Sequence, residues 1–235
     1  VVPLDMALNS FDDQYRGCSQ DMFRALPKLN RTEQQQNQKF ADVWAKAAAK
    51  LRTKTPARSL LSPPQAIAVM IYTMRDVYQE FNDAVRVAGS SSREYRDNFH
   101  FKTLHFLLTD ALDTLRDASR RKVYRGVRGV RFQARRGDTV RFGHFTSTSL
   151  NESVADGFGQ NTTFYVNTSL GVPVWDYSDK PEEWEVLIPP FEAFRVTDVT
   201  EIGGKLQIWL DSTTSFSKYE CEWLQGDTTG TTWGE

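Results

Sequence analysis

Three short segments of the 235-residue chain gather residue types that do chemistry. The first is Val123-Tyr124-Arg125-Gly126-Val127, an arginine among apolar and aromatic residues in a strand-like run. A guanidinium turned inward from a strand is costly unless an anion meets it, and its planar fork suits a phosphate or a carboxylate. Gly126 lacks a Cβ and so permits close approach of a ligand to the backbone. The second segment is Phe145-Thr146-Ser147-Thr148-Ser149. Strand alternation puts Phe145, Ser147 and Ser149 on one face and Thr146 and Thr148 on the other. An inward hydroxyl can hold a sugar hydroxyl or orient a carboxylate. As a nucleophile it would need a base, and His100, His105 and His144 show no triad spacing. The third segment is Glu182-Glu183-Trp184-Glu185-Val186-Leu187-Ile188-Pro189-Pro190. On a strand, Glu183 and Glu185 share a face about 7 Å apart, with Trp184 pointing the other way. The apolar run after Glu185 puts both carboxylates at the entrance of a buried strand, where burial and repulsion raise at least one pKa. Taken singly, each segment equally suits a solvated surface.

The elements that must position these groups change character along the chain. Residues 1 to about 120 read as mostly helical. Asn30 with Glu33 resembles a capping box ahead of the Ala-, Gln- and Lys-rich run to Arg52. Ala66–Thr73 is a short apolar run that fits a buried strand. Val77, Phe81, Val85 and Ala88 share one helical face that Gly89 ends, and Ser91 with Glu94 is a second capping box. Phe101, Leu104, Leu108, Leu112 and Leu115 recur at helical spacing, which makes His105 a packed residue rather than a ligand. From Lys122 the runs become short, rich in Val, Phe, Tyr, Thr and Trp. Strands are expected over 122–127, 139–148, 162–168, 183–189, 192–199 and 205–212, with a short helix over 151–158. Helices first and strands second make an α+β chain.

Composition narrows the function classes. Hydrophobic residues at 40% and charged residues at 25% exclude disordered, collagen-like and coiled-coil chains. The longest apolar run, Ala66–Tyr72, has seven residues, against about 20 for a membrane span. With 29 Lys+Arg against 30 Asp+Glu, a global electrostatic hold on nucleic acid is not indicated. The stretch from Arg120 to Arg141 is locally basic, with nine Lys or Arg and one acid, and suits either a polyanionic ligand or a solvated face. No metal-ligand spacing is present. Cys18 and Cys221 can join the two ends of the chain or stand as unrelated buried thiols. A bridge between them would close a loop of roughly 200 residues, contributing at most about 5 kcal/mol. Asn30, Asn151, Asn161 and Asn167 each head an Asn-x-Ser/Thr triplet, and with the cysteine pair they favour a secreted or cell-surface protein. No signal peptide is visible at Val1, which fits a processed chain. A lipid anchor on a removed C-terminal tail would leave the same appearance.

In order and spacing, the three segments together closely resemble the R-S-E signature of mono-ADP-ribosyltransferases. Phe11-Asp12-Asp13-Gln14-Tyr15 before Cys18, Glu80-Phe81-Asn82-Asp83-Ala84-Val85-Arg86 and Phe101-Lys102-Thr103-Leu104-His105-Phe106-Leu107-Leu108 extend the likeness to the vertebrate ecto-ADP-ribosyltransferases. Two glutamates in Glu-x-Glu make the arginine-specific members the nearest look. The resemblance implies one catalytic domain over 1–235, with a helical part to about 120 and a mixed β-sandwich core, the NAD-binding part, over about 121–225. It implies transfer of ADP-ribose from NAD, or its phosphate NADP, to a protein arginine by a monomer, with no metal. Arg125 would meet the NAD phosphate and nicotinamide-ribose side, Ser147 the ribose and the glutamate, and Glu185 the ribose 2′-hydroxyl. Glu183 would position and deprotonate the acceptor guanidinium, Gly126 offer backbone groups to the nicotinamide amide, and Phe158 stack on nicotinamide. Trp184 would shape the acceptor loop or simply pack. The competing readings are an NAD glycohydrolase on the same site, a silent binding module on the same fold, and a nucleic-acid binder using 120–141.

Overall fold

The computed structural model describes residues 1–54 and 60–225. Backbone contacts divide it into two compact units. One combines Leu8–Thr114 with the described residues from Ser217 on; the other combines Val1–Ala7 with Leu115–Phe216.

The first unit is built on helices α1 (Ser19–Gln36), α2 (Gln38–Arg52), α3 (Pro63–Met74), α4 (Tyr78–Ala88), α5 (Ser92–Asn98) and α6 (Lys102–Leu115). Asn30 and Glu33 sit inside α1 rather than at a helix start. The break falls at extended Asn37, whose side chain accepts from the Phe40 amide at 3.1 Å and caps α2. Glu33 does cap a helix, but a distant one: its buried carboxylate accepts from the Lys102 and Thr103 amides, each at 2.7 Å, at the start of α6. Ala66–Thr73 is helical, not a strand. Ser62 and Gln65 form a capping box and Pro63 occupies the first turn, and these end signals decide a run whose all-round hydrophobicity shows no period. The α4 face is buried as its spacing predicts, and the Ser91 hydroxyl accepts from the Glu94 amide at 3.0 Å.

Cys18 and Cys221 form a disulfide in this unit. Asp13 reinforces it by accepting from the amides of Tyr15, Cys221 and Glu222 at 2.8–2.9 Å. His105 lies fully buried between the Tyr15 hydroxyl at 2.6 Å and the Phe11 carbonyl at 3.0 Å. The carbonyl can only accept, so Nε2 carries the proton and Nδ1 takes the hydroxyl of Tyr15.

The second unit holds β1 (Val2–Pro3), β2 (Arg121–Val127), β3 (Phe132–Gln133), β4 (Thr139–Val140), β5 (Thr146–Ser149), β6 (Thr162–Thr168), β7 (Val172–Pro173), β8 (Glu185–Ile188), β9 (Glu192–Ile202) and β10 (Lys205–Ser215). A short helix, α7 (Glu152–Gly157), follows β5. Eight strands join in one mixed sheet, ordered β4-β9-β10-β6-β2-β5-β8-β7, in which β10 and β6 run parallel and the other neighbours antiparallel; β1 and β3 pair separately. Val140 and Phe194 from one end of the sheet and Val186 and Ile188 from the other share a single core, so the sheet curls around its own interior. The strand expected over 139–148 is two strands. Between them the buried Arg141 guanidinium donates to the carbonyls of Met6, Ala7 and Phe216 at 2.6–3.0 Å, and Gly143 takes a left-handed φ of 79°.

Burial holds His105 down to about 3 from its ordinary 6.5 and pushes Asp13 up from 3.8 to about 6. Below 6.5 the unfolded imidazole takes a proton that the folded one refuses, so stability is lost as pH falls toward 3. Asp13 acts oppositely, because between 6 and 3.8 the folded carboxyl binds the proton more tightly. In Asp13→Asn, urea-derived stability should therefore fall more steeply between about pH 6 and pH 4 than in the parent, an effect of order 1 kcal/mol; an unchanged slope would contradict this account.

Candidate active site

The order β2-β5-β8 puts Arg125, Ser147 and Glu185 on three adjacent strands. Tyr124 pairs with Ser149 across β2 and β5; Ser147 pairs with Leu187 and Ser149 with Glu185 across β5 and β8. Partners in a ladder lie on the same face, so Ser147, Ser149 and Glu185 face one way together with Tyr124. Arg125 follows Tyr124 on β2, and its Nη1 donates to the Ser147 carbonyl at 3.0 Å. Ser147 thus links the two: its carbonyl serves Arg125 and its hydroxyl lies on the glutamate side. That bond uses one of the five donors of the guanidinium.

Glu185 is only 4% exposed. It opens a strand whose next three residues are fully buried, and Val186 and Ile188 anchor it in the core. The Ser147 hydroxyl oxygen is buried and has no hydrogen-bond partner among the described residues. Buried hydroxyls are normally bonded, so this one has capacity left for a polar partner.

Glu183 does not share a strand face with Glu185. Pro181–Glu183 form a turn of 3-10 helix, and Trp184 adopts a left-handed φ of 50° before the strand begins. For a bulky residue that conformation costs of order 1–3 kcal/mol and persists only when neighbours enforce it. Here the enforcement comes from the end of β5. The Ser149 hydroxyl donates to the Glu183 carbonyl at 2.7 Å and accepts from the Asn151 amide at 3.0 Å, while the Leu150 amide donates to the Trp184 carbonyl at 3.1 Å. Glu183 is half-buried and Glu185 buried, so the two carboxylates occupy different environments. Trp184, 48% exposed, meets Trp175 edge-on with ring centres 5.2 Å apart.

A Cβ on Gly126 would lie 2.1 Å from the Ala155 carbonyl oxygen and 2.3 Å from that of Gly159. The close approach that Gly126 permits is therefore that of the α7 backbone. Asn151 caps α7 by accepting from the Ser153 amide at 2.9 Å, and Phe158 ends it with its ring 45% exposed. Of the other sequons, Asn30 accepts from Gln34 within α1, Asn161 accepts from the Gly129 amide, and Asn167 is exposed on β6. Much of the basic stretch is met by the unit itself: Arg120 pairs with Asp211, Arg121 with Asp117 and Arg131 with Glu201. Sequence reasoning gave no role to Ser149 or Trp175. Ser149 had a signal, since it alternates in phase with Ser147; Trp175 had none, because its contact crosses a loop.

An α+β fold with arginine, serine and glutamate on adjacent strands is the arrangement that the resemblance of the sequence to ADP-ribosyltransferases implies. The family model described as NAD:arginine ADP-ribosyltransferase matches residues 4–218. Among curated relatives, NAD(P)(+)--arginine ADP-ribosyltransferase 2 of Gallus gallus is 49% identical over 231 residues, covering 96% of this chain and 74% of the relative. The Homo sapiens GPI-linked NAD(P)(+)--arginine ADP-ribosyltransferase 1 is 43% identical over 247 residues, covering 95% and 75%. The crystal structure of the eucaryotic mono-ADP-ribosyltransferase ART2.2 aligns with a TM-score of 0.83 at 34% identity, covering 94% of this chain and 99% of that one. A glutamate variant of ART2.2 in complex with NAD aligns with a TM-score of 0.83 at 33% identity, with the same two coverages. This chain belongs to the NAD:arginine ADP-ribosyltransferase family.

Gly126→Ala should force α7 away from β2 and cost about 1–3 kcal/mol, read as a lower urea midpoint at unchanged m-value; an unshifted midpoint would show that the carbonyl cradle yields freely.

Proposed function

We propose that the chain transfers ADP-ribose from NAD to the guanidino group of a protein arginine and releases nicotinamide, acting as one catalytic domain. The observation that carries this reading is the buried Glu185 on the same sheet face as the unbonded Ser147 hydroxyl, one strand from Arg125. The family match and the NAD complex of ART2.2 support it.

The bond to be broken joins C1′ of the ribose to the pyridinium nitrogen. Nicotinamide leaves with the bonding pair and becomes neutral, so no general acid is needed. Positive charge then builds on the ribose, and a fixed carboxylate beside it favours that state over the ground state. Glu185 accepts a hydrogen bond from the 2′-hydroxyl, a contact that strengthens as the ring turns cationic. Ser147 directs its hydroxyl at the same ribose. Arg125 holds the Ser147 peptide through its carbonyl and turns its remaining donors to phosphate. Backbone groups of Gly126 meet the nicotinamide amide, and the exposed Phe158 ring stacks on it.

The acceptor is a poor nucleophile, because a guanidinium has a pKa above 12. Glu183 sits outside the buried strand, where a side chain from another protein can reach it. It holds the acceptor in line and takes its proton as the new N–C1′ bond forms. Relatives described as GPI-linked support a cell-surface or extracellular location; we extend this to a monomer held by a lipid anchor or secreted.

Glu185→Gln should lower both arginine transfer and NAD hydrolysis by at least about 10²-fold, and transferase activity retained in that variant would remove the assignment. Glu183→Gln should lose transfer while keeping some hydrolysis. Nicotinamide release measured with and without a small guanidine acceptor separates the two; a joint fall would refute the division of labour.

A further inference from the structure

On the sheet face that carries Glu185, a continuous row of cross-strand partners runs through Ser149 and Tyr124 to Tyr165 and Trp209. The last two rings stack 4.7 Å apart at 11°, and Tyr124 meets Tyr165 edge-on at 5.8 Å. The intervening residues Val123, Phe164, Val166, Ile208 and Leu210 point into the core, so the aromatic row lies on the outer face. All three rings are partly exposed. Three contiguous, partly exposed rings in the middle of a sheet leave an apolar surface that a further group can cover.

Asn167 stands on the same outer face, two residues along β6 from Tyr165. It is exposed, and its partner on β10 is Asp211, two residues from Trp209. It heads the triplet Asn167-Thr168-Ser169. Along a strand, same-face neighbours two apart are about 7 Å from each other, within reach of one sugar ring.

We propose that an N-linked carbohydrate on Asn167 is seated on the stacked Tyr165–Trp209 pair; this rests on reading Asn167 as a glycosylation acceptor. The Asn167 amide nitrogen displaces polyprenyl pyrophosphate from C1 of a lipid-linked oligosaccharide, the C1–O bond breaking as N–C1 forms, and loses one proton, so the side chain stays neutral. The first N-acetylglucosamine then lies over the outward rims of the stacked rings, its C–H groups against their carbon atoms, while its hydroxyls remain in water. Sugar cover makes an apolar patch soluble without hiding it under protein. The Tyr165 hydroxyl donates to the neighbouring Glu152.

The chain is produced in secretory eukaryotic cells, glycopeptide mass spectrometry reads occupancy at Asn167, and thermal unfolding is followed before and after amidase removal of the glycan. Asn167 is expected to be occupied, and removal should lower Tm by about 2–4 °C, the shift a ring contact gives in a chain of this length. In Trp209→Thr and, as a second variant, Tyr165→Thr, the same removal should leave Tm almost unmoved. An unmodified Asn167 overturns the acceptor reading and the seat with it. An occupied Asn167 whose removal shifts parent and variants equally overturns the seat alone. A dimer of the parent that Trp209→Thr dissolves assigns the rings to a second copy and likewise overturns it.

Discussion

The insertion of β5 between β2 and β8 is the pairing on which the rest of the site depends. Its register sets Ser149 opposite Glu185 and Ser147 opposite Leu187. A slip of one residue along β8 would turn Glu185 into the core and Val186 toward the site. Four consecutive buried residues in β8 make that slip prohibitive, since Val186 and Ile188 already fill the interior. Hydrophobic packing therefore fixes the position of a carboxylate that takes no part in that packing. The position is set before any substrate arrives, as electrostatic stabilisation of a developing charge requires.

The two carboxylates of Glu-x-Glu have different mechanical support. Glu185 is held by a ladder and a core. Glu183 is held by a turn that a single serine hydroxyl clips to the end of β5. Trp184 makes the difference: its left-handed backbone ends the extended geometry between them. A residue that must favour one transition state gains from rigidity. A residue that must receive side chains of other proteins gains from standing on a turn, where small shifts cost little.

Legibility in the sequence follows the range of the interactions. The helices of α4 and α6 were readable because burial on one face leaves a period, and the Ser91 cap because it is local. Ala66–Thr73 carried no period; only its ends, Ser62-Pro63 and Gln65, distinguish helix from strand. Glu33 sits where a capping box was expected but caps α6, 69 residues away, a pairing that no local pattern encodes. Arg125, Ser147 and Glu185 were legible as a spaced set through their resemblance to a family. That strand alternation fails between Glu183 and Glu185 was not, because nothing local distinguishes a left-handed Trp184 from an extended one; Ser149 and Leu150 impose it from another strand.

The proposed roles divide along the same line. In the proposed reaction, cleavage of NAD calls on Arg125, Ser147 and Glu185, whose relation is carried by backbone pairing and by one bond to a main-chain carbonyl. Changes on the turns leave that relation intact, because the core residues Val186 and Ile188 hold the register. The proposed acceptor residue Glu183 sits on a turn beside Trp184, which packs on Trp175 at the end of the ladder. Substitution there alters shape and charge at the entrance while the register of β5 and β8 stays where the core puts it. In the proposed reading, acceptor choice and NAD cleavage are thus carried by separate kinds of interaction, turns for the first and a core-held ladder for the second.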